Sequence, residues 1–384
     1  MAKVVVPISK IAHWGGLEKH SWNSAKAFAD HGHDVTLLTT GPIPNDLRHP
    51  NIETVSLGKQ SRVSVIHIAS FDKWYRRWVK ENGADIVFGQ DRVTELTHCR
   101  PTIGLHGPNL KQRMLYASAI RKMSFSINPL HATILNYERK LFANPKLKCV
   151  FPNSGMVGNE VVEQFGFPKE RIHVIHNGVD WEQWGKPFST WRQDRPEILN
   201  DLNLDADRFH LLYVGSGFHR KGVAVMLEGL AQVKNSDIHL SIVGRDKHQA
   251  RYVEQAKRLG LADRVTFFGE RKDTERFYQL ADACIIPSFY DPFANVTLEA
   301  LAMGVFVISS KWNGGHEILT EQTGSVINDL LEPSSVADAI ESAISRGKTE
   351  ESAPVIREHV RGFQYSRQLA ALVEMTVGDD ILSK

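Results

Sequence analysis

Short apolar runs alternate with amphipathic helical patterns along most of this chain, and this alternation is the feature that most limits its possible folds. The apolar run Val4 to Ile8 is followed by a loop with Gly15 and Gly16, a helical pattern, and a second apolar run, Val35 to Thr39. A strand, glycine loop, helix and strand in this order predict a βαβ unit of a parallel sheet. Its loop is either a phosphate or sugar site or a plain tight turn.

The alternation lapses over the polar stretch Trp181 to Arg208 and restarts at Leu211 to Ser216. We interpret the polar stretch as the link between two domains, which a chain of 384 residues is long enough to form. Two such arrays in series predict an α/β protein with two Rossmann-like doubly wound domains that face a central cleft. The predicted domains cover 1–185 and 186–355, and C-terminal helices over 356–384 could pack back on the first domain.

The stretch Ala283 to Ser310 carries only two charged side chains, Asp291 and Glu299, in an apolar background. Its pattern predicts a strand, a loop with Asp291, a helix with Glu299 and a second strand. A buried carboxylate without a partner costs several kcal/mol, so a ligand rich in hydroxyls would suit both acids. The alternative is that Asp291 favours the helix dipole and Glu299 pairs with an arginine inside the protein.

Anion-binding features surround these acids. Backbone N–H groups near Ala294 to Val296 would lie free at the start of the predicted helix and form an anion site. The turn that begins at Gly215 places Arg220 and Lys221 before another helix. Because the dipole is already positive there, two cations at that place indicate a bound polyanion, unless they are a solvated surface pair. Acids for hydroxyls and cations for a diphosphate together predict a sugar-nucleotide site.

A histidine in the first half of the chain is a further candidate. Ile103 to Leu105 is predicted to be a strand that ends at His106. Ligands of open parallel sheets collect beyond the carboxyl ends of the strands, so we expect His106 at a site. A loop histidine satisfied by its neighbours is the alternative.

Composition excludes several classes of protein. No apolar run approaches the roughly 20 residues that a membrane-spanning helix needs, and the N-terminal sequence does not resemble a secretion signal. Cys99, Cys149 and Cys284 are far apart, as expected for reduced thiols in a cytoplasm. The histidines show no metal-binding spacing, so we expect neither a metal nor a resident cofactor.

The positive charge is gathered in one segment. His106 to Lys148 holds eight Lys or Arg residues against one acid, Glu138. Apolar residues such as Met114 and Leu115 lie among the cations, which suits peripheral contact with an anionic membrane or a phosphorylated glycolipid. Core packing with a solvated face is the alternative. Nucleic acid is not an expected partner, because no recognition motif accompanies the charge.

Several segments carry a family resemblance: VGSGFHRKGV, IVGRDK, VTFFGERKD, and an acid followed by seven residues and Glu. They resemble the second domain of retaining GT-B glycosyltransferases of family four, most nearly the lipopolysaccharide core glucosyltransferase I branch. The acid pair is Asp291 and Glu299, with Asp where many members have Glu. The resemblance covers most of residues 209–330. In the first half it is confined to the Gly15–Gly16 loop, His106 and the HNGVD stretch at 176–180.

The resemblance implies roles for the second-domain residues. Glu299 would bind the ribose of a nucleotide donor, Asp291 the transferred sugar, and Arg220 with Lys221 the diphosphate. Arg271 would lie near the base. Gly215, Asn295 and Val296 belong to the same donor site.

In the first domain, the resemblance implies that Gly15 and Gly16 approach the phosphate or the acceptor and that His106 lies near the reacting carbon. The first domain would then bind the acceptor and the second the nucleotide sugar. The predicted function is retaining transfer of a hexose, with UDP as the favoured nucleotide, to a glycan or glycolipid in lipopolysaccharide or cell-surface polysaccharide synthesis. A cytoplasmic location, also at the inner face of the membrane, would fit. The alternatives are a sugar-nucleotide epimerase of the same fold and a non-catalytic sugar-nucleotide-binding module.

Overall fold

A computed structural model describes residues 1–10, 16–41, 48–58, 61–115, 117 and 119–382. The chain divides into two compact units. The first unit comprises Met1–His176 and Arg367–Lys384, and the second comprises Asn177–Ser366. Each unit is built around its own six-stranded sheet, and the strand pairs of both sheets are parallel.

The first sheet has the strand order β3-β2-β1-β4-β5-β6. Its strands are β1 (Lys3–Pro7), β2 (Asp34–Thr39), β3 (Ile52–Ser56), β4 (Ile86–Gly89), β5 (His98–Cys99) and β6 (Cys149–Val150). Helices cover the sheet, as its apolar, fully buried inner strands require. They are α1 (Gly16–Asp30), α2 (Ser64–Asn82), α3 (His106–Leu115), α4 (Ala119–Ile127), α5 (Pro129–Phe142) and α6 (Gly155–Phe165).

The second sheet repeats this order, β12-β11-β10-β7-β8-β9. Its strands are β7 (Phe209–Val214), β8 (Ile238–Val243), β9 (Val265–Gly269), β10 (Ala283–Ile286), β11 (Phe306–Ser310) and β12 (Gly324–Ile327). Its helices are α7 (Gly185–Asp201), α8 (Val223–Leu230), α9 (Gln249–Arg258), α10 (Thr274–Leu280), α11 (Asn295–Ala302), α12 (Pro333–Ile344) and α13 (Ser352–His359). The final helix, α14 (Tyr365–Leu382), contributes Leu372 and Val373 to the core of the first unit.

Both sheets therefore have the doubly wound order that was expected, and the fold is GT-B. In each sheet the chain order reverses once, between β1 and β4 and between β7 and β10. Loops that leave the carboxyl ends of two such strands border a crevice in which open α/β sheets bind ligands. No helix of the described residues combines the length and apolar character needed to cross a membrane.

The interpretation of Trp181 to Arg208 as a link is wrong. Most of this stretch is α7, which lies wholly in the second unit. The helix is polar on most of its surface and has Pro196 inside it, so its sequence lacks a clear apolar period. Polar contacts with distant residues hold it, among them the two hydrogen bonds from Arg195 to Asp282 at 2.8 and 3.0 Å.

The predicted strand Ile103 to Leu105 is also wrong. This segment begins inside a turn that the Gly104 N–H closes by donating to the Pro101 carbonyl at 3.0 Å, and the strand lies earlier, at β5. Gly104 has a φ of 71°, which interrupts an extended run and turns the chain toward α3. His106 is consequently the first residue of a helix and does not end a strand.

Candidate functional site

The candidate site lies where the chain order of the second sheet reverses, between β7 and β10. The loop after β7 carries Gly215, Arg220 and Lys221, and the loop after β10 carries Asp291. These loops pass close to each other. Gly222 has a φ of 75°, and a Cβ there would collide with the Pro287 carbonyl oxygen. Only glycine allows this approach, which brings the two loops together at the edge of the sheet.

Asp291 is the centre of an ion-pair cluster. Its Oδ2 accepts from Lys221 Nζ at 2.6 Å and from Arg220 at 3.2 Å, and the Arg220 guanidinium also donates to the Tyr290 carbonyl at 3.0 Å. Burial disfavours the charged form of Asp291, but the Lys221 ammonium and the Arg220 guanidinium outweigh it and hold the pKa of Asp291 below its usual value. The carboxylate is therefore ionised near neutral pH, and the two cations share one negative partner.

The loop that carries Asp291 is fixed from the opposite side by Asn313, a fully buried residue after β11. The Asn313 Oδ1 accepts from the Ala294 N–H at 2.9 Å, and its Nδ2 donates to Thr297 and Ser309. Asn313 thus occupies the first backbone N–H expected in the anion site. The Asn313 side chain does not bind the N–H groups of Asn295 and Val296, which form the rest of the predicted anion site.

Tyr213 is a polar group at this edge that the sequence did not single out. It is the fifth residue of β7 and is 1% exposed, and its hydroxyl has no hydrogen-bond partner among the described residues. A Cβ at Gly215 would lie 3.3 Å from this hydroxyl and 3.7 Å from Lys221 Cε. The Tyr213 hydroxyl therefore lies near the cluster. An apolar strand run conceals such a residue, and its unpaired buried hydroxyl is visible only in the fold.

Glu299 lies in the second turn of α11 and is half-buried. Its Oε2 accepts a hydrogen bond from the hydroxyl of Tyr278 at 2.9 Å. Tyr278 is fully buried in α10, and its carbonyl accepts from Lys348 Nζ at 3.1 Å. Tyr278 supplies the polar neighbour that Glu299 needs, and it gives the carboxylate a defined orientation.

Arg271 is placed after β9, at the far edge strand of the same sheet. Its guanidinium makes two hydrogen bonds to the Asp273 carboxylate, at 2.8 and 2.7 Å, and lies over the ring of Phe277. Arg271 is therefore held at the start of α10.

His106 lies in the first unit, at the start of α3. Its backbone N–H donates to Glu138 Oε1 at 2.7 Å, and its Nε2 lies 2.9 Å from Nδ1 of His131. Burial, with a smaller contribution from Arg92, lowers the pKa of His106 to about 4, so the imidazole is neutral at pH 7. Burial raises the pKa of Glu138 to about 7. Glu138 was visible in the sequence only as the single acid of a basic segment, and the fold places it against His106.

The structure brings Arg220, Lys221 and Asp291 into direct contact, with Gly215 beside them. Asn295, Val296 and Glu299 share α11, whose first residues follow the Asp291 loop. In the first unit, Gly16 opens α1, whereas Gly15 lies outside the described residues.

Comparisons with known proteins agree with this architecture. A family model described as glycosyl transferases group 1 matches residues 194–355, and one described as Glycosyltransferase Family 4 matches residues 14–183. The second half of the chain is therefore similar to group 1 glycosyltransferase domains and the first half to family 4 glycosyltransferase domains.

Individual relatives are distant but extend over most of the chain. An uncharacterized glycosyltransferase of Methanocaldococcus jannaschii is 25% identical over 86% of this chain and 85% of its own length. The lipopolysaccharide glucosyltransferase WaaG of Escherichia coli is 24% identical, with 87% of each chain covered. A crystal structure of a WaaG superposes with a TM-score of 0.76 at 20% identity, over 98% of this chain and 100% of that one. A structure of Anabaena HepE in complex with UDP-glucose gives 0.67 at 17% identity, over 98% and 100% of the two chains.

Proposed function

We propose that this protein is a retaining glycosyltransferase that moves a hexose from a nucleotide-diphosphate sugar, with UDP as the favoured nucleotide, to a glycan or glycolipid acceptor. The carrying observation is the cluster of Lys221, Arg220 and Asp291 at the point where the second sheet reverses its order. This is where open α/β sheets bind nucleotides, and its cations match a diphosphate. The likeness of the fold to HepE with UDP-glucose supports the choice of donor.

The chemistry required is the cleavage of the bond between an anomeric carbon and a diphosphate. Negative charge grows on the departing oxygen while the sugar becomes oxocarbenium-like. Lys221 and Arg220, already positioned by Asp291, would stabilise that charge without reorganising during the reaction. In this assignment the side chains supply the stabilisation, and no metal or resident cofactor is included. Retention of configuration, with front-face attack and the leaving phosphate as base, is taken from the family resemblance.

Asp291 has a double task in this proposal. Without a donor it neutralises the largely buried Lys221 and the more exposed Arg220, two cations that would otherwise lie beside each other without an anion. When the diphosphate binds the two cations in its place, the carboxylate becomes available to accept hydrogen bonds from hydroxyls of the transferred sugar.

Glu299, oriented by Tyr278, would accept from the ribose hydroxyls. Arg271 would lie toward the base. Gly16 and His106 would be residues that the first unit supplies to the site.

The acceptor is proposed to be part of lipopolysaccharide or another cell-surface polysaccharide, which the likeness to WaaG and to the lipopolysaccharide glycosyltransferase LpsD of Rhizobium meliloti supports. Large apolar side chains of α3 and α4 are exposed: Met114, Leu115, Met123 and Ile127. Exposed Lys111 and Lys122 lie in the same two helices. This combination supports peripheral contact with an anionic leaflet and a place on the inner face of the cytoplasmic membrane.

The function is tested by incubating the protein with UDP-glucose and a lipopolysaccharide-core acceptor, and by measuring UDP release and acceptor glucosylation. We expect transfer, and we expect its loss in Asp291→Asn and Glu299→Gln proteins that melt like the wild type. Release of an epimerised free sugar would replace this proposal with the epimerase. Unchanged transfer in both variants would refute the site.

The membrane contact has its own test, which is sedimentation with vesicles of phosphatidylglycerol or of phosphatidylcholine. We expect binding to the anionic vesicles alone, weakened by salt because exposed charges are screened. The variant Met123→Ser with Ile127→Ser should bind less, and Val355→Ser, which changes an exposed apolar residue of the second unit, should not. Equal binding to both lipids would contradict the contact.

A further inference from the structure

A pocket of about 640 Å³ lies inside the first unit, at the carboxyl ends of β1 and β4. Strand order reverses between these two strands, so this pocket has the place of a ligand crevice in its own sheet. The proposed function places the donor on the second unit and leaves the chemistry of this pocket open. The loop after β4 and the start of α2 supply its polar lining.

The two arginines of this pocket, Arg62 and Arg92, form no hydrogen bond or close ion pair through their guanidinium groups with the described residues, although Arg92 lies near enough to Glu138 to favour the ionised form of that carboxyl. The pocket also holds a carboxylate, Asp91, but this group accepts from the backbone N–H of Ser9 at 2.8 Å and of Arg92 at 2.7 Å. Asp91 is therefore occupied in joining the two loops. The remaining electrostatics of the pocket favour an anion.

The start of α2 adds two further groups that suit an anion, namely an uncapped helix N-terminus and the ring of His67. Its N-cap residue is Val63, which provides no side-chain hydrogen bond, so the positive end of a 19-residue helix is left uncapped beside Ser64. His67, one turn into the helix, lines the pocket, and both of its ring nitrogens are buried without a hydrogen-bond partner among the described residues. Burying a polar group unpaired is costly, and ligand oxygens would supply the partner.

The pocket also has an apolar lining, formed by Ile68 of α2 and by Leu130 and Ile134 of α5. A ligand that fits both the polar and the apolar lining carries an anionic group and a less polar body, as a sugar ring with one acidic substituent does. We infer that this pocket binds the phosphate or carboxylate of an acidic saccharide. In combination with the proposed function, on which this last step rests, the acceptor is a negatively charged glycan or glycolipid.

The test is isothermal titration of the full-length protein with glucose 6-phosphate, glucuronate and glucose. We expect both acidic sugars to bind at least about tenfold more tightly than glucose, with the stronger of the two showing whether phosphate or carboxylate is preferred. Arg92→Gln should weaken binding of the acidic sugars about tenfold, and Arg62→Gln, at an exposed position, should weaken it without disturbing the fold.

Two controls separate this pocket from other cations. Lys80→Gln changes an exposed cation at the far end of α2 and should leave binding unchanged. Lys234→Gln removes an exposed cation of the second unit, away from the proposed donor site, and should also leave it unchanged. Equal affinity for all three sugars would overturn the inference, as would full binding of the acidic sugars by both arginine variants.

The inference and the proposed function fail separately. If UDP-glucose is consumed but acidic sugars have no advantage, the pocket assignment is wrong and the transferase assignment stands. If acidic sugars bind through Arg62 and Arg92 but no sugar is transferred from any nucleotide donor, the pocket stands as an acidic-saccharide site and the transferase assignment falls.

Discussion

At the scale of single residues, Lys221 should matter most for turnover, because its ammonium lies 2.6 Å from Asp291 and is largely buried. Lys221→Met removes a positioned charge at the place where, in the proposed function, the leaving group develops negative charge. We expect kcat with UDP-glucose to fall by about 100-fold, a typical loss for one such electrostatic group. Steady-state UDP release measures it.

The matched control is Lys234→Met, which changes an exposed lysine of the same unit and should leave kcat unaltered. If Lys221→Met also left kcat and the donor KM unaltered, the diphosphate would not be bound at this cluster.

Two buried tyrosines give a contrasting pair of predictions. Tyr278→Phe removes the hydrogen bond to Glu299, so we expect a loss of about 1 to 2 kcal/mol in unfolding free energy and a higher KM for the donor. Tyr213→Phe removes a buried hydroxyl that has no partner among the described residues, so we expect unchanged or slightly higher stability. Thermal melting and donor kinetics of both variants distinguish the two cases. Equal destabilisation by both would show that the Tyr278 hydrogen bond contributes nothing specific.

The residues that sequence reasoning found and those that it missed differ in a physical way. Asp291, Lys221 and Arg220 were visible because charges in an apolar or electropositive setting demand a partner. Their contact spans 70 residues of sequence, and the parallel sheet that joins them follows from the pattern. Tyr278 and Asn313 gave no signal, because their importance depends on which distant groups their polar atoms meet.

At the scale of elements, the apolar pattern predicted the strands but not α7. The spacing of apolar residues predicted β1 and β2 to within about one residue at each end. In α7, by contrast, the stabilising groups are polar and their partners are distant: Gln279 of α10 donates to Pro187 O at 3.0 Å and to Asp194 at 2.7 Å. A pattern of apolar residues cannot reveal a helix that is held by hydrogen bonds to another helix.

The attachment of α7 can be tested at Arg195. Its side chain is 19% exposed and pairs with an Asp282 side chain that is 12% exposed, so Arg195→Met leaves a nearly buried carboxylate without its cation. We expect a loss of about 3 kcal/mol, measured by urea unfolding. Arg192→Met on the same helix breaks a pair with Glu350 that is 69% and 56% exposed, and should cost less than about 1 kcal/mol. A similar cost for both variants would mean that α7 is held by its apolar contacts.

At the scale of the whole molecule, the pH dependence of stability should be set by titratable groups that are buried in both units. Burial lowers the pKa of His20, His106 and His239 to about 4. In the unfolded chain these histidines titrate near 6.5, so between pH 6.5 and 4 the unfolded state binds more protons. Glu138 acts in the opposite direction, because burial raises its pKa from 4.5 to about 7 and the folded state takes up its proton first.

Three protons taken up by the unfolded state outweigh one taken up by the folded state, so the free energy of unfolding should decrease as pH falls from 6.5 to 4.5. At a pH where a histidine is protonated in the unfolded state but not in the folded state, it changes the free energy of unfolding by about 1.4 kcal/mol per pH unit. The contribution of these groups should level off below about pH 4, where the folded histidines are protonated as well and the opposing contribution of Glu138 is complete. Thermal midpoints measured across this range test it, with His239→Gln expected to flatten the curve and His248→Gln, at an exposed position, expected to leave its slope unchanged. A midpoint that is constant from pH 6.5 to 4.5 would show that the buried histidines are already protonated in the folded protein.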